Sequence, residues 1–504
     1  MYTFSSRLKT FAFVLMILGG LGIAYGFYTA PKTTADVEAI LEKEAADHHG
    51  SHAPSTEHTS TVESHTVKKE LTETAHHLAT DATMADSVHT DTIAIAHIAD
   101  AHHGDDHATA SKTTDVKVET SHEGHDAHAD HEKHLEHVLH QLQNKPWAAL
   151  YVACIFMMLI ALGVLAFYAI QQVAQAGWSP VLFRVMQGIT SYLPVGSVLF
   201  FILLVLSGLH FNHLFVWMKE GVDVIGHENY DHLVAGKTGY LNVPAWLIRA
   251  AIFLIGWNLY QYFSKRNCLL QDESNDNVYF KKNFNISAGF LVFFIVTESI
   301  MSWDWIMSVD PHWFSTLFGW YVFASFFVSG ITVIALVTLY LKSRGYLEYV
   351  NTSHIHDLAK FMFGISIFWT YLWFSQFMLI WYSNIPEEVT YFITRIETYN
   401  LPFFGMVVMN FVFPVLILIN TDFKRLTWII TMAGIVILLG HYVDFFNMIM
   451  PATVGDRWFI GIPEISSLLF FIGLFIFVIF SAITKTPLLP KRHPLIEESK
   501  HFHY

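Results

Sequence analysis

The chain has 504 residues, of which 53% are hydrophobic and 14% are charged, and its formal net charge is −14. This apolar fraction exceeds what a soluble domain needs for its core, so the composition excludes a soluble enzyme and predicts a protein built inside a bilayer. The two cysteines, Cys154 and Cys268, supply neither a disulfide framework nor the ligands of an iron–sulfur cluster. The sequence also lacks haem-attachment, Walker and dinucleotide motifs, so no covalently bound cofactor is expected, and nothing in it points to a nucleic-acid partner.

Ten apolar runs are long enough to cross roughly 30 Å of hydrocarbon as helices. The predicted spans are 11–30, 147–170, 192–216, 243–263, 284–305, 317–341, 361–382, 401–419, 426–446 and 465–483. The expected fold class is therefore an all-α polytopic membrane protein of about ten transmembrane helices.

Lys and Arg are concentrated in alternate loops, which fixes the predicted orientation because cationic loops stay on the cytoplasmic side. The cation-poor loops carry only Lys219, Lys237, Arg395 and Arg457. Both termini are predicted to be cytoplasmic in this multi-pass protein. The first apolar run has a basic start and allows a cleaved signal peptide, but its length and weak cleavage site favour a retained anchor.

The segment 31–146 differs from the rest of the chain and is predicted to be a periplasmic, largely disordered insertion. It holds 19 of the 30 histidines, and residues 126–143 are predicted to form an exposed helix that leads into the membrane. A zinc or copper reservoir is one interpretation of these histidines, whereas a solvated spacer is the other. The irregular repeats define no compact metal site.

Polar groups within the apolar spans are costly and usually line a pathway or pair with one another. The candidates for a proton path are Glu298, Asp304, His441, Asp444, Gln376, His210 and His213. His441 and Asp444 are three residues apart and share one helical face. Two alternatives remain: these groups tie helices together by hydrogen bonds, or His210, His213 and His441 hold a b-type haem.

Two long motifs carry a family resemblance. SWDWIMSVDPHWFSTLFGWY (302–321) and FWTYLWFSQFMLIWYSNIPEE (368–388) resemble the F subunit (ActF) of bacterial alternative complex III, within the NrfD/PsrC-like family of ten-helix membrane proteins. The similarity covers about 147–486 and leaves the His-rich insertion outside. It implies two four-helix bundles (147–316 and 317–450), flanked by a first helix (1–30) and by a last helix with a cytoplasmic tail (451–504).

The resemblance also implies a function: a subunit of a quinol:cytochrome c oxidoreductase in the bacterial inner membrane that supplies scaffold and a proton-transfer path. Haems c and iron–sulfur clusters would lie on partner subunits. The implied partners are multihaem and monohaem cytochrome c subunits, an iron–sulfur subunit, a homologous quinol-binding membrane subunit, small membrane subunits, a terminal oxidase and lipid. The resemblance leaves room for a menaquinone pocket in this chain. The rival functions are a secondary transporter or ion channel and a purely structural membrane anchor.

Overall fold

The computed structural model describes residues 2–50 and 123–503, and all regular structure in these ranges is helical. Within them, ten helices are long and apolar enough to cross a membrane. They are α1 (Ser6–Thr29), α2 (Glu123–Val173), α3 (Pro180–Gly208), α4 (Val243–Glu273), α5 (Val278–Trp305), α6 (Phe318–Ser343), α7 (Thr352–Ser383), α8 (Asn400–Leu418), α9 (Thr427–Val454) and α10 (Ile462–Ile483). The predicted all-α polytopic membrane fold is confirmed.

Helices α2 and α6 form the centre of the molecule, since 94% and 83% of their most apolar windows are buried. Glycines bring the two backbones together: a Cβ on Gly163 would lie 2.6 Å from the carbonyl oxygen of Phe326, and one on Gly330 would lie 2.8 Å from the nitrogen of Val164. Such small residues drive helix association in lipid, where burial of apolar surface contributes little. Around this centre, α4 packs on α3 and α5, while α6 packs on α7 and α9 and α8 packs on α9.

The first and last spanning helices form a separate pair at the edge, because α1 packs along α10. A Cβ on Gly19 would lie 2.5 Å from the backbone nitrogen of Phe470, and one on Gly473 would lie 2.7 Å from the carbonyl oxygen of Ala12. Any larger side chain would force these helices apart.

Contacts between loops define two sides of the bundle. On the side that we call the basic side, Thr3 lies 2.9 Å from the hydroxyl of Tyr346, and the side chain of Asn351 donates to the carbonyl of Phe502 at 2.5 Å. Both ends of the described chain therefore lie on one side. The other side, which we call the opposite side, is held by contacts such as that between Lys237 Nζ and the carbonyl of Pro311, at 2.6 Å.

The structure corrects the third predicted span, 192–216. The helix ends at Gly208, and His210 has a φ of +60° in the loop that follows. Towards the basic side the span begins earlier than predicted, at Pro180, and a turn at Ser191 and Tyr192 divides it. Hydropathy missed the early end because Leu214 and Phe215 are apolar but are buried as loop residues.

Most of the predicted disordered insertion, residues 51–122 with most of its histidines, lies outside the described residues. The insertion is helical at both of its ends: Thr34–Gly50 at the N-terminal end and the start of α2 at the C-terminal end. The exposed helix predicted for 126–143 is thus present as the first part of α2. Within the segment predicted to be largely disordered, Thr34–Gly50 is helical. Thr33 and Asp36 cap this helix reciprocally: Asp36 N donates to Thr33 Oγ1 at 3.3 Å and Thr33 N donates to Asp36 Oδ2 at 3.0 Å.

Candidate functional site

A carboxyl group within α6–α9, which we call the second helix group (α2–α5 being the first), is the centre of a buried polar cluster. Asp444 on α9 is fully buried, and its Oδ2 accepts hydrogen bonds from Ser325 Oγ at 2.9 Å and from Trp369 Nε1 at 2.8 Å. The hydroxyl of Tyr321 donates to Oδ1. Asp444 is ten residues from the end of α9, or about 15 Å along the axis. The carboxyl group is therefore deep inside the helical bundle and is held by three neutral donors from α6 and α7.

His441, one helical turn before Asp444, belongs to the same cluster. Its Nδ1 lies 3.6 Å from Asp444 Oδ2 and 2.9 Å from Ser325 Oγ, so the hydroxyl bridges the imidazole and the carboxyl group. The other ring nitrogen, Nε2, is buried without a hydrogen-bond partner. An imidazole and a carboxyl joined by a hydroxyl can pass a proton from one to the other.

A local irregularity of α8 brings a further polar group to His441. Residues Val408–Val412 form a π-helical turn, and Asn410 within it lies with Nδ2 3.4 Å from His441 Nδ1. The approach is close because α9 has Gly440 there: a Cβ at that position would lie 2.1 Å from Asn410 Oδ1. π-turns inside helices are frequent at functional sites.

A small cavity lies between this cluster and the opposite side. It is lined by Tyr321, Gln376 and Asn447. The centre of a water molecule can occupy a volume of about 10 Å³ in it, which is about the minimum for a cavity that holds one water. Gln376 Nε2 and Asn447 Oδ1 are buried without a protein partner. They are a donor and an acceptor of the kind that an internal water joins.

Arg395, from the helix Pro386–Glu397, closes the cavity towards the opposite side. Its guanidinium lies 3.3 Å from the ring centre of Tyr391 and donates to the carbonyls of Asn447 at 3.0 Å and of Tyr391 at 2.8 Å. The side chain is 5% exposed. A buried cation held by neutral carbonyls places a positive charge at the mouth of the cavity.

Glu298 is the second buried acid of the predicted path, and it lies on α5, away from this cluster. It is 4% exposed; its Oε2 accepts a hydrogen bond from Ser299 Oγ at 3.2 Å, and its Oε1 is buried without a partner. No cation contacts it in the described part of the chain. Glu298 is therefore a buried carboxyl with one oxygen free to take a proton or a hydrogen bond. No hydrogen bond in the described part of the chain joins it to Asp444.

Asp304, also on α5, has a different environment. Arg249 of α4 binds it with two charge-assisted hydrogen bonds, from Nε to Oδ2 at 2.7 Å and from Nη2 to Oδ1 at 3.1 Å. The Asp304 carbonyl accepts from Trp246 Nε1 at 2.8 Å and from Ser308 Oγ at 2.6 Å. A bidentate pair of this kind fixes geometry, which favours a structural role for Asp304.

The two loop histidines of the predicted set are remote from the buried cluster. His210 and His213 are exposed beyond the end of α3, and the His213 ring packs edge-on against that of His140 at 5.2 Å. The pKa of His213 is lowered, mainly because part of its ring is buried and to a smaller extent because His140 and His210 are nearby. His441 is instead fully buried, so the geometry does not assemble the three histidines into a bis-histidine haem site. Nor do the described residues contain a group of three His, Cys, Asp or Glu side chains fit for a metal ion.

Sequence reasoning found the acids and missed their partners. It did not single out Tyr321, Ser325, Trp369 and Asn410, which surround Asp444 and His441, and it did not pair Arg249 with Asp304. In the sequence, Tyr321 and Trp369 stand out only as members of the two long motifs. The spacing of Ser325 from Tyr321, four residues on one face of α6, is the signal that was available.

Comparison of the chain with models of known protein families and with curated proteins gives no match.

Proposed function

We propose that this chain is an integral membrane subunit of a respiratory quinol:cytochrome c oxidoreductase of the alternative complex III type, in which it provides scaffold and a proton-transfer path. The proposal is carried by the fully buried Asp444. This carboxyl group accepts hydrogen bonds from neutral donors and lies next to His441 and to a water-sized cavity. The two motifs that resemble the family supply part of this site: Tyr321 closes the first motif, and Trp369 and Gln376 belong to the second.

The proposed division of labour needs no redox centre in this chain. Oxidation of a menaquinol releases two electrons and two protons; the electrons would leave through iron–sulfur clusters and haems c on the partner subunits. A homologous membrane subunit would hold the menaquinol, the cytochrome c subunits would pass electrons to a terminal oxidase, and small membrane subunits would complete the assembly. This chain would lie in a bacterial inner membrane with its basic side in the cytoplasm.

The chemistry available to this chain is movement of a proton among fixed groups. A proton that reaches the pair of His441 and Asp444 can be shared through the Ser325 hydroxyl, because all three are within hydrogen-bond reach. From Asp444, the hydroxyl of Tyr321 leads to the cavity lined by Gln376. The positive charge of Arg395 at its mouth would oppose uncontrolled passage of cations.

The first test is purification of the tagged chain at native expression level in mild detergent, with mass spectrometry and a reduced-minus-oxidised spectrum. We expect cytochromes c and an iron–sulfur protein to co-purify and only c-type haem bands to appear. Recovery of the chain alone, without haem or redox partners, would refute the respiratory assignment.

The second test addresses proton transfer in vesicles that contain the purified complex. We expect Asp444→Asn to reduce quinol-driven proton movement by about tenfold or more, the scale of one lost proton-transfer group, while electron transfer to cytochrome c continues. Asp422→Asn is the matched control because Asp422 is exposed on the basic side, between α8 and α9. Unchanged proton movement in Asp444→Asn would leave this chain as a structural anchor.

A secondary transporter is the second candidate, because α3 and α8 are both irregular within the membrane. Transporters place broken helices at matching positions of their repeats. Here the turn at Ser191 and Tyr192 lies in the second helix of the first group and near the basic side. The π-turn Val408–Val412 instead lies in the middle of the third helix of the second group. These positions do not match, which favours the respiratory proposal.

A further inference from the structure

A groove on the outer face of the bundle runs between α3, α4 and α10 from the basic side into the membrane. Its two parts have volumes of about 690 Å³ and 550 Å³ and share Pro194, Gln261 and Tyr262 as lining residues. The two parts therefore form one continuous groove along α4. Neither the acid cluster around Asp444 nor the cavity beside it belongs to this groove.

The part nearest the basic side is cationic. Lys265, Arg266 and Lys485 line it together with one acid, Glu273. Lys265 is half-buried, and its ammonium donates to the neutral hydroxyl of Ser191 at 3.1 Å. No ion pair to a carboxylate holds any of these three cations in the described part of the chain.

The charge of Lys265 is not balanced by the surrounding protein. The charged groups that act on its ammonium are the cations Arg184 and Lys485, and Arg184 is already paired with Asp272 at 2.6 Å. A half-buried cation among cations is unfavourable unless an anion joins the group. The groove mouth therefore has the electrostatics of an anion site.

The part deeper in the membrane is apolar and has the length of one leaflet. It extends along α4 from Gln261 to Ala251, ten residues or about 15 Å, and half of a hydrocarbon core of about 30 Å is the same length. Ala251, Ile255 and Asn258 lie on one helical face. Asn258 donates to Ser197 Oγ at 2.9 Å, and its Oδ1 is buried without a partner in the groove wall.

We propose that this groove is a binding site for one anionic phospholipid of the cytoplasmic leaflet. Its phosphate lies among Lys265, Arg266 and Lys485, and one acyl chain follows α4 towards Ala251. The juxtaposition of an unbalanced cationic mouth with a leaflet-length apolar channel fits a lipid with a negative head group, because basic pockets between membrane helices bind such head groups. The site is independent of the proposed redox function.

The test uses the full chain, with any partners that co-purify, in phosphatidylcholine vesicles that contain a small fraction of spin-labelled phosphatidylglycerol. Electron paramagnetic resonance measures the fraction of label that the protein immobilises. The variant Lys265→Gln/Arg266→Gln/Lys485→Gln removes the cationic mouth. Each Lys or Arg strengthens the attraction to an anionic lipid about fivefold, so the triple variant is expected to bind about a hundredfold more weakly.

The matched control is Lys281→Gln/Lys282→Gln/Arg344→Gln, which removes three exposed cations from the same side but outside the groove. It is expected to bind like the wild type. A second variant, Ala251→Trp, fills the apolar end and keeps the cations, and we expect it to release the label as well. Spin-labelled phosphatidylcholine is expected to show little immobilisation.

Three results would overturn the proposal. The first is equal loss in the groove and control variants, or equal immobilisation of phosphatidylcholine, because the cationic mouth would then not select the lipid. The second is displacement of the label by inorganic phosphate with no effect of Ala251→Trp, which would indicate a free-anion site. The third is displacement by an isoprenoid quinone at equimolar amounts, which would make the groove a quinone site.

Discussion

Removal of Arg249 is expected to destabilise the protein more than removal of its partner Asp304, because burial is unequal within the pair. The Asp304 side chain has no exposed surface, whereas 20% of the Arg249 side chain is exposed. Arg249→Met leaves a buried carboxylate without its cation, a loss of about 3–5 kcal/mol for broken buried pairs. Asp304→Asn leaves a cation that water reaches, and one unmet hydrogen-bonding group costs about 1–3 kcal/mol.

The double variant Arg249→Met/Asp304→Asn measures the interaction between the two side chains apart from their other contacts. Because it removes both charges together, we expect it to recover most of the loss seen in Arg249→Met, so that the losses of the two single variants do not add. The assay is unfolding of the purified protein by titration with sodium dodecyl sulfate in mixed micelles, followed by tryptophan fluorescence. Quinol-driven proton movement measured on the same variants shows whether Asp304 also carries protons.

Equal losses for the two single variants, with a double variant equal to their sum, would refute this reasoning. Asp304 would then not depend on Arg249, and its predicted role as a proton carrier would stand. Recovery of stability together with unchanged proton movement in the double variant would instead assign Asp304 to structure.

Three further predictions concern the tail, the helix pair at the edge and the first helix group. Burial lowers the pKa of His493 to about 4. The free energy of unfolding is therefore highest above the unfolded pKa of about 6.5, and it falls by about 3 kcal/mol as the pH is lowered towards 4. His493→Gln should make the free energy of unfolding less dependent on pH in this range, and an unchanged slope would contradict the assignment. Gly19→Leu should lower the midpoint of thermal unfolding because a Cβ there would lie 2.5 Å from the backbone of Phe470, and Gly20→Leu, which meets open space, is its control; equal midpoints would contradict the packing of α1 on α10. Tyr168→Phe should destabilise by about 1–3 kcal/mol because four buried polar side chains lie within hydrogen-bond distance of this hydroxyl, and detergent unfolding of the variant at wild-type stability would exclude a structural role for the hydroxyl.

The number and approximate positions of the membrane helices were predictable because hydropathy over about twenty residues reports burial in lipid directly. The ends of the helices were less predictable, since polar residues extend them beyond the hydrocarbon. Helix α4, for example, continues to Glu273, ten residues past the predicted end at 263. The early end of α3 at Gly208 was hidden because the buried loop residues Leu214 and Phe215 are as apolar as a helix core.

The acids of the candidate site were also predictable, because an ionisable group inside a membrane span is rare and costly. Their partners were not, since each contact joins helices that are distant in sequence. Tyr321 and Asp444 are separated by 123 residues, and Arg249 and Asp304 by 55. One sequence has no information about which helical faces meet, so it gave Asp304 and Asp444 the same role although their neighbours differ.

The difference between these two acids favours the second helix group for the proposed proton transfer. Asp304 is paired with a guanidinium that keeps its charge at any physiological pH, so its counter-charge is permanent. Asp444 is bonded by neutral hydroxyl and indole groups, and its neighbour His441 is itself able to bind and release a proton. A proton that arrives at this second pair can be held, shared and passed on without breaking a fixed ion pair. The second helix group is therefore the place where a change in proton occupancy would disturb the structure least, and Asp444→Asn is the substitution that tests this most directly.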